Sequence, residues 1–280
     1  MKFFVLTKQR LLIIGCCLLV GALALSVCMS SYNGVITAST TTRKIPIYCV
    51  EQEEKVVSIS FDAAWGNEQT QGLLDTLDEY NVKTTFFLVG EWVDKYPDSV
   101  KAIHDAGHDV GNHSDTHAHM PQQSREDMLK ELNGCNDKIE KITGVRPTLF
   151  RPPYGDYNNA LVETVNSIHM YCVQWDIDSL DWKDPSPQQM VDRIQKNLSP
   201  GSIILLHNGA KNTPQALPMI IEAIRAQGYE IVPISQILLK GSYTTDHEGR
   251  MHTDAAPLST NPSGSVSSKK ESSSQSHSNR

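Results

Sequence analysis

Between residues 47 and 240, short runs of β-branched and aromatic residues alternate with segments whose apolar positions recur at helical spacing. Residues 56–61 (VVSISF) read as a strand. Leu73, Leu74 and Leu77 mark a helix beyond it, with Asn67 as its expected cap. Further strands are expected over residues 84–89, 108–112, 148–151, 170–177, 202–206 and 229–233. The helices between them are expected over residues 98–106, closed by Gly107; from a Ser124 to Asp127 capping box towards Gly144; over 159–167; after Pro187; and from Pro214 to Gly228. Ile203, Ile204, Leu205 and Leu206 are apolar on both faces, as a parallel strand covered on both sides must be. The alternation predicts an α/β domain whose parallel sheet is open or closed into an incomplete barrel.

Both ends depart from this pattern. Lys2, Lys8 and Arg10 precede a nearly unbroken apolar run over residues 11–29, and no further charge occurs before Arg43. This predicts a basic cytoplasmic N-terminus (1–10) and a single-pass signal-anchor (11–29) that holds the protein at the cell membrane with its body outside. A cleaved signal peptide, leaving a secreted protein, is the alternative. Residues 30–46, rich in Ser and Thr, read as a stalk, and the folded domain is expected over 47–240. From residue 241 onward, 11 serines in 40 residues read as a disordered tail, too poor in large apolar groups to offset its ordering entropy. Cys49, Cys135 and Cys172 in the body read as buried free thiols rather than a disulfide framework or a metal knuckle. A hydrophobic fraction of 39% is enough for a core, and 25 basic against 32 acidic residues give no electrostatic footprint for nucleic acid.

The polar residues that periodicity leaves unexplained fall at strand ends. Asp62 closes the first strand, His113 the third with His117 four residues on, and Arg151 the fourth; Asp178 and Asp181 follow the fifth, and His207 ends the sixth. In parallel α/β architectures these ends meet on one face, where ligands bind. Each has a plainer reading alone: a solvated histidine pair, a rigid proline turn at residues 151–155 (RPPYG), a helix cap at Asp181, a core histidine at His207. Together they suit one chemistry. Two neutral imidazoles hold a divalent metal with a position open for water, and a carboxylate takes the proton of that water. A separate histidine protonates the leaving group, and backbone amides of the stiff loop stabilise an oxyanion. That set describes a metal-assisted acyl hydrolase.

The same residues carry a resemblance. Phe61-Asp62, residues 113–117 (HSDTH), 151–155 (RPPYG), 178–182 (DSLDW) and 205–207 (LLH) follow in order the five motifs of the NodB-like polysaccharide deacetylases, carbohydrate esterase family four, which the chain resembles over nearly all of residues 54–236. The resemblance implies a deformed (β/α)7-type barrel with parallel strands. It also implies a hydrolase that removes N-acetyl groups from a cell-surface polysaccharide such as peptidoglycan. By the same resemblance Asp62 is the general base, and His113 and His117 are ligands of a divalent metal, zinc with cobalt or manganese as alternatives. Arg151 orients Asp62, the Tyr154 backbone N–H holds the oxyanion and His207 is the general acid. Asp181 supports His207, while Trp182 and Leu205 wall the acetyl pocket. The sequence departs from the family at Ala63, where a second aspartate normally supplies a third metal ligand. Water, Asp115 or His119 filling that place, or loss of the metal, are the expected alternatives. With them stand two competing functions: a catalytically silent carbohydrate-binding protein of the same fold, and an O-acetyl polysaccharide esterase.

Overall fold

Side chains along a strand point alternately to its two faces, and the whole domain is organised by that alternation. The computed structural model describes residues 8–32 and 42–253. These belong to two units, one within residues 1–43 and one within 44–280. The first is a single helix, α1 (Lys8–Tyr32). Among the described residues no helix is long and apolar enough to cross a membrane. The signal-anchor expected over residues 11–29 is thus not shown by the described residues.

The second unit opens with β1 (Cys49–Val50), β2 (Val56–Ala63), α2 (Thr70–Glu79), β3 (Thr85–Leu88), α3 (Gly90–Lys95), α4 (Pro97–Asp105) and β4 (Asp109–Asn112). There follow α5 (Arg125–Thr143), β5 (Leu149–Phe150), α6 (Asn159–Ser167), β6 (Tyr171–Cys172), β7 (Ile177–Asp178), α7 (Pro187–Asn197) and β8 (Ile203–His207). The unit ends with α8 (Thr213–Ala226), β9 (Glu230–Ile231), α9 (Ile234–Ile237), β10 (Tyr243–Thr245) and β11 (Arg250–Thr253). The main sheet is parallel, in the order β6-β5-β4-β3-β2-β8-β7, with β9 also paired to β2. It curls into the deformed (β/α)7 barrel expected.

Val57, Ile59 and Phe61 of β2, Phe86 and Leu88 of β3, and Ile204 and Leu206 of β8 face the helices in one apolar layer. The alternate residues Phe87 and Ile203 face inward and pack with Ile47, Val50, Leu149 and Val173 into a plug inside the barrel. β8 is thus apolar on both faces up to His207, whereas β2 is apolar towards the helices and carries small serines inward up to Asp62.

Three expectations change. The strand read over residues 170–177 is two short strands at opposite ends of the sheet, since β6 pairs with β5 and β7 with β8. The four residues between them carry the chain across the barrel, and Gln174 N–H donates to the Ile47 carbonyl there. Secondly, the fold continues past residue 240. β10 and β11 form a hairpin that adds β1 as its third strand, so the tail expected from residue 241 begins with ordered structure; residues 254–280 lie outside the described residues. Of the expected stalk, residues 33–41 are likewise outside, whereas Lys44 and Ile45 are tied to the domain through Glu163 and Thr245. Thirdly, local capping differs. Asn67 does not cap α2 but donates to Ser99 Oγ, and the helix expected over 98–106 begins at Pro97 with α3 before it. Ser124 does cap α5, accepting from Asp127 N–H, while the Asp127 carboxylate takes the Ser124 hydroxyl rather than its backbone amide. Cys49, Cys135 and Cys172 are buried and unpaired, as expected.

At the strand-entry end of the barrel His108 is buried, and its Nδ1 accepts a hydrogen bond from Thr84 N–H, which requires the neutral ring. Burial, then the nearby Lys83 ammonium, pushes His108 down to about 4. An unfolded histidine takes its proton near 6.5, so below that pH the unfolded chain binds more protons and stability is lost progressively towards pH 4. Urea unfolding is expected to show this loss, about 3 kcal/mol in full. The variant His108→Gln, which keeps an acceptor for Thr84, should flatten the profile across that window.

Candidate active site at the mouth of the barrel

Ser58, Ser60 and Asp62 occupy the inward face of β2, and the two serines satisfy themselves on the carbonyls of Val232 and Ile204. Asp62 stands in register with His207 on β8 and Phe87 on β3. Arg151 follows the last residue of β5 and is fully buried. Its Nη1 donates to Asp62 Oδ1 at 2.8 Å and its Nη2 to the Gln174 carbonyl at 3.0 Å. The guanidinium lies 4.1 Å from the centre of the Phe87 ring and 5.5 Å from that of Trp175, so aromatic faces replace water around the charge. Burial alone would favour a neutral Asp62, but Arg151, and then His113 and His207, hold its carboxyl below the usual range.

The segment after β4 places the two histidines. His113 Nδ1–H donates to the Arg151 carbonyl at 2.7 Å, which leaves Nε2 unprotonated and 3.6 Å from Asp62 Oδ2. The His117 ring is 5.0 Å from that of His113, centre to centre. Burial lowers both, His117 to about 4 with the His113 ring adding to the effect, so both are neutral donors at physiological pH. Ser114 and His117 adopt positive φ of 65° and 58°. The loop is held there by Asn112 Oδ1, which accepts from Ser114 N–H, and by Glu131, which accepts from the amides of Asp115 and Thr116. Asp115 turns away from the cavity, pairing with Lys138 at 2.6 Å. It packs so close to α3 that a Cβ on Gly90 would come within 1.9 Å of its carboxylate. His119 stacks on Tyr154 with ring centres 4.1 Å apart and pairs with Asp156 through Nδ1 at 2.9 Å. Neither supplies the missing ligand.

His207 ends β8 beside a fully buried carboxylate. Its Nδ1–H donates to Asp181 Oδ1 at 2.7 Å, its own backbone N–H donates to Asp181 Oδ2, and Thr213 donates to that same oxygen. Burial opposes the charge on the imidazole, yet the bond to Asp181 lifts His207 above its ordinary value.

Asp62, His113, His117 and His207 line one cavity of about 420 Å³, with Tyr154, Trp182 and Leu205 as expected and Trp175 in addition, while Arg151 and Asp181 stand behind Asp62 and His207. Trp175 was hidden inside what read as a single strand. Its Arg151 contact had no sequence signal, because that proximity depends on the split between β6 and β7. Ala63 is fully buried in the layer between sheet and helices, whereas Ala64 and Trp65 line the cavity. Among the described residues no group of three His, Cys, Asp or Glu is placed to hold a metal ion. Two imidazoles of the right kind and protonation face the cavity, but they do not make a closed three-ligand centre.

A family model described as "Polysaccharide deacetylase" matches residues 50–173. The chain is 37% identical over 188 residues to the peptidoglycan-N-acetylmuramic acid deacetylase PdaC of Bacillus subtilis, covering 67% of this chain and 40% of PdaC. It is 33% identical over 194 residues to a peptidoglycan-N-acetylglucosamine deacetylase of Bacillus cereus, covering 68% of this chain and 91% of that one. Among solved structures it is similar to BA3943, described as a CE4 family pseudoenzyme from Bacillus anthracis, with a TM-score of 0.67, 34% identity and coverage of 70% of this chain and 69% of that one. A BA3943 mutant described as having restored enzymatic activity matches at the same TM-score with 35% identity, over 70% of this chain and 71% of that one. The chain spans 40–60% of the first curated relatives it matches.

Removing one member of the Asp62–Arg151 pair strands the other charge in the core. Arg151→Met should cost about 3–5 kcal/mol in denaturant unfolding. The double variant Arg151→Met with Asp62→Asn should recover most of that loss; additive costs would mean that the two charges are not coupled.

Proposed function

This chain belongs to the NodB-like polysaccharide deacetylases, carbohydrate esterase family four, and from that premise we propose that it is a hydrolase removing N-acetyl groups from a cell-wall polysaccharide, peptidoglycan being the substrate its relatives' names suggest. The observation that carries this reading is the pairing of two opposed proton-transfer groups around one cavity. Arg151 favours the ionised form of Asp62, and Asp181 strengthens the hold of His207 on its proton. Hydrolysis of an acetamide needs both: water adds its oxygen to the carbonyl carbon and gives up a proton, and the departing nitrogen takes one as the carbon–nitrogen bond breaks. Asp62 receives the first proton and His207 supplies the second. The products are acetate and a free amino sugar. The Tyr154 amide, in a turn with φ of 62°, is assigned to the oxyanion. Leu205 and Trp182 form the apolar wall for the acetyl methyl.

Deacetylases of this family are generally dependent on a divalent metal. His113 and His117 are the donors this chain offers for zinc, cobalt or manganese, and the set is one ligand short of closing. A second reading follows from that same fact. A silent carbohydrate-binding protein is favoured by Ala63, and by the similarity to a protein described as a pseudoenzyme. Against it, a binder has no use for a buried base and a separately supported acid. An O-acetyl esterase would use the same groups.

The cationic residues before the apolar run at 11–29 support a domain outside the cell, with that run as its attachment to the membrane or as a signal whose cleavage would release it.

Acetate release from peptidoglycan and from N-acetylglucosamine oligomers, with added zinc, cobalt or manganese, tests the reading. His207→Ala should lower the rate by about 10²-fold or more. Ala63→Asp should raise zinc binding and acetate release together. If neither the wild type nor Ala63→Asp releases acetate while oligosaccharide binding persists, the silent binder takes its place.

A further inference from the structure

Three of the chain's four tryptophans, Trp65, Trp175 and Trp182, line the one cavity described above. Two of them keep most of their surface in water: Trp65 is 63% and Trp182 56% exposed, and Tyr154 beside them is 56% exposed. Exposed indoles are costly unless something covers them in use. Trp65 is also held on a rigid backbone. The carbonyl of Gly66 accepts from the indole of the fourth, buried tryptophan, Trp92, at 2.7 Å, and from Asn208 Nδ2 at 3.3 Å. The carbonyl of Trp65 lies so close to Gly209 that a Cβ there would approach it to 2.7 Å. The Trp65 ring stands edge-to-face with His117, ring centres 5.4 Å apart. By strand order Trp65 follows β2, between Tyr154 after β5 and Trp182 after β7.

Resting on the carbohydrate reading above, we propose that Trp65, with Trp182, forms an aromatic platform that binds pyranose rings of the N-acetylated polymer without a metal ion, so that saccharide binding in this chain is uncoupled from metal occupancy. The ligand class follows from the surface. A pyranose presents one face of C–H bonds, which suits the electron-rich face of an indole, and the net charge of −7 offers nothing to a polyanion. The cavity of about 420 Å³ accommodates an acetamido sugar and leaves the neighbouring rings of a polymer to rest on the rim, where the exposed aromatics are. Independence from metal follows from the groups used: neither indole is a metal donor, and the donor set is incomplete.

The test is titration calorimetry of the full-length protein in detergent with N-acetylglucosamine oligomers of three to six units, in EDTA and again in zinc. The affinity should agree within about threefold between the two conditions. Trp65→Ala should weaken it roughly tenfold, and Trp65→Phe, which keeps an aromatic face, should stay within about threefold of wild type. Because Trp65→Phe retains the ring packing, it also serves if the alanine variant misfolds: sugar-induced change in tryptophan fluorescence should then drop in proportion to the lost indole. Binding that disappears in EDTA, a Trp65→Ala protein that binds like wild type, or an unchanged fluorescence response in Trp65→Phe overturns the proposal. The two readings fail separately: binding in EDTA without acetate release at any metal concentration removes the hydrolase and leaves the platform, whereas acetate release with metal-dependent binding does the reverse.

Discussion

A charge pair sealed inside a barrel is the constraint around which the rest of this domain is arranged. Each ion of the Asp62–Arg151 pair gives up several kcal/mol of hydration when buried, and that loss is offset only if every polar contact of the pair is well made. The surroundings meet most of that demand: Asp62 Oδ1 takes Nη1, the Gln174 carbonyl takes Nη2, and Phe87 covers the guanidinium from one side. Nε of Arg151 is left without a hydrogen-bond partner among the described residues. The same residue reaches further through its backbone, because the Arg151 carbonyl fixes the tautomer of His113. One arginine thereby sets the charge of the base and the free nitrogen of the first metal donor, and a shift of β5 would disturb both.

Closure of the barrel supplies the carbonyl and the second aromatic wall that the pair needs. Gln174 and Trp175 belong to the segment that leaves β6 at one end of the sheet and enters β7 at the other. The apolar plug of Phe87, Ile203 and Val173, joined by Met251 from the C-terminal hairpin, fills the space beneath them and keeps water from the guanidinium. The hairpin that looked like part of a solvated tail is therefore part of the floor of the site.

How much of this could be read from sequence follows from the range of the interactions. Asp62, His113, His117, Arg151, Asp181 and His207 were legible because strand ends in a parallel sheet converge whatever the details, and the structure brings all six to one cavity or its immediate wall. β8 was legible because a strand covered on both faces has no polar alternation, and β2 because its β-branched and aromatic residues alternate with small serines. The break at residues 173–176 was not, since a run from Met170 to Ile177 looks the same whether it is one strand or two, and only pairing at distant edges of the sheet decides. Asp115 and His119 illustrate the same limit. Their spacing from His117 allowed a ligand role, and what excludes it is Lys138 on α5 for one and the stacked ring of Tyr154 for the other. The β10–β11 hairpin escaped because its strands are short and polar, and they are held by pairing to β1, about 200 residues away in the chain.

The charges of the cavity also bear on the meaning of Ala63. Asp62 is paired with Arg151, Asp181 accepts from His207 and Thr213, and burial keeps the two donor imidazoles neutral. Both carboxylates find their partners within the chain, without a cation. An aspartate at position 63 would add a buried negative charge without a partner, and a cation would then be needed to neutralise it. With alanine there, packed in the apolar layer behind the strand, the fold makes no electrostatic demand for a metal. With alanine at this position the paired groups of the cavity and its aromatic rim hold together without a further carboxylate.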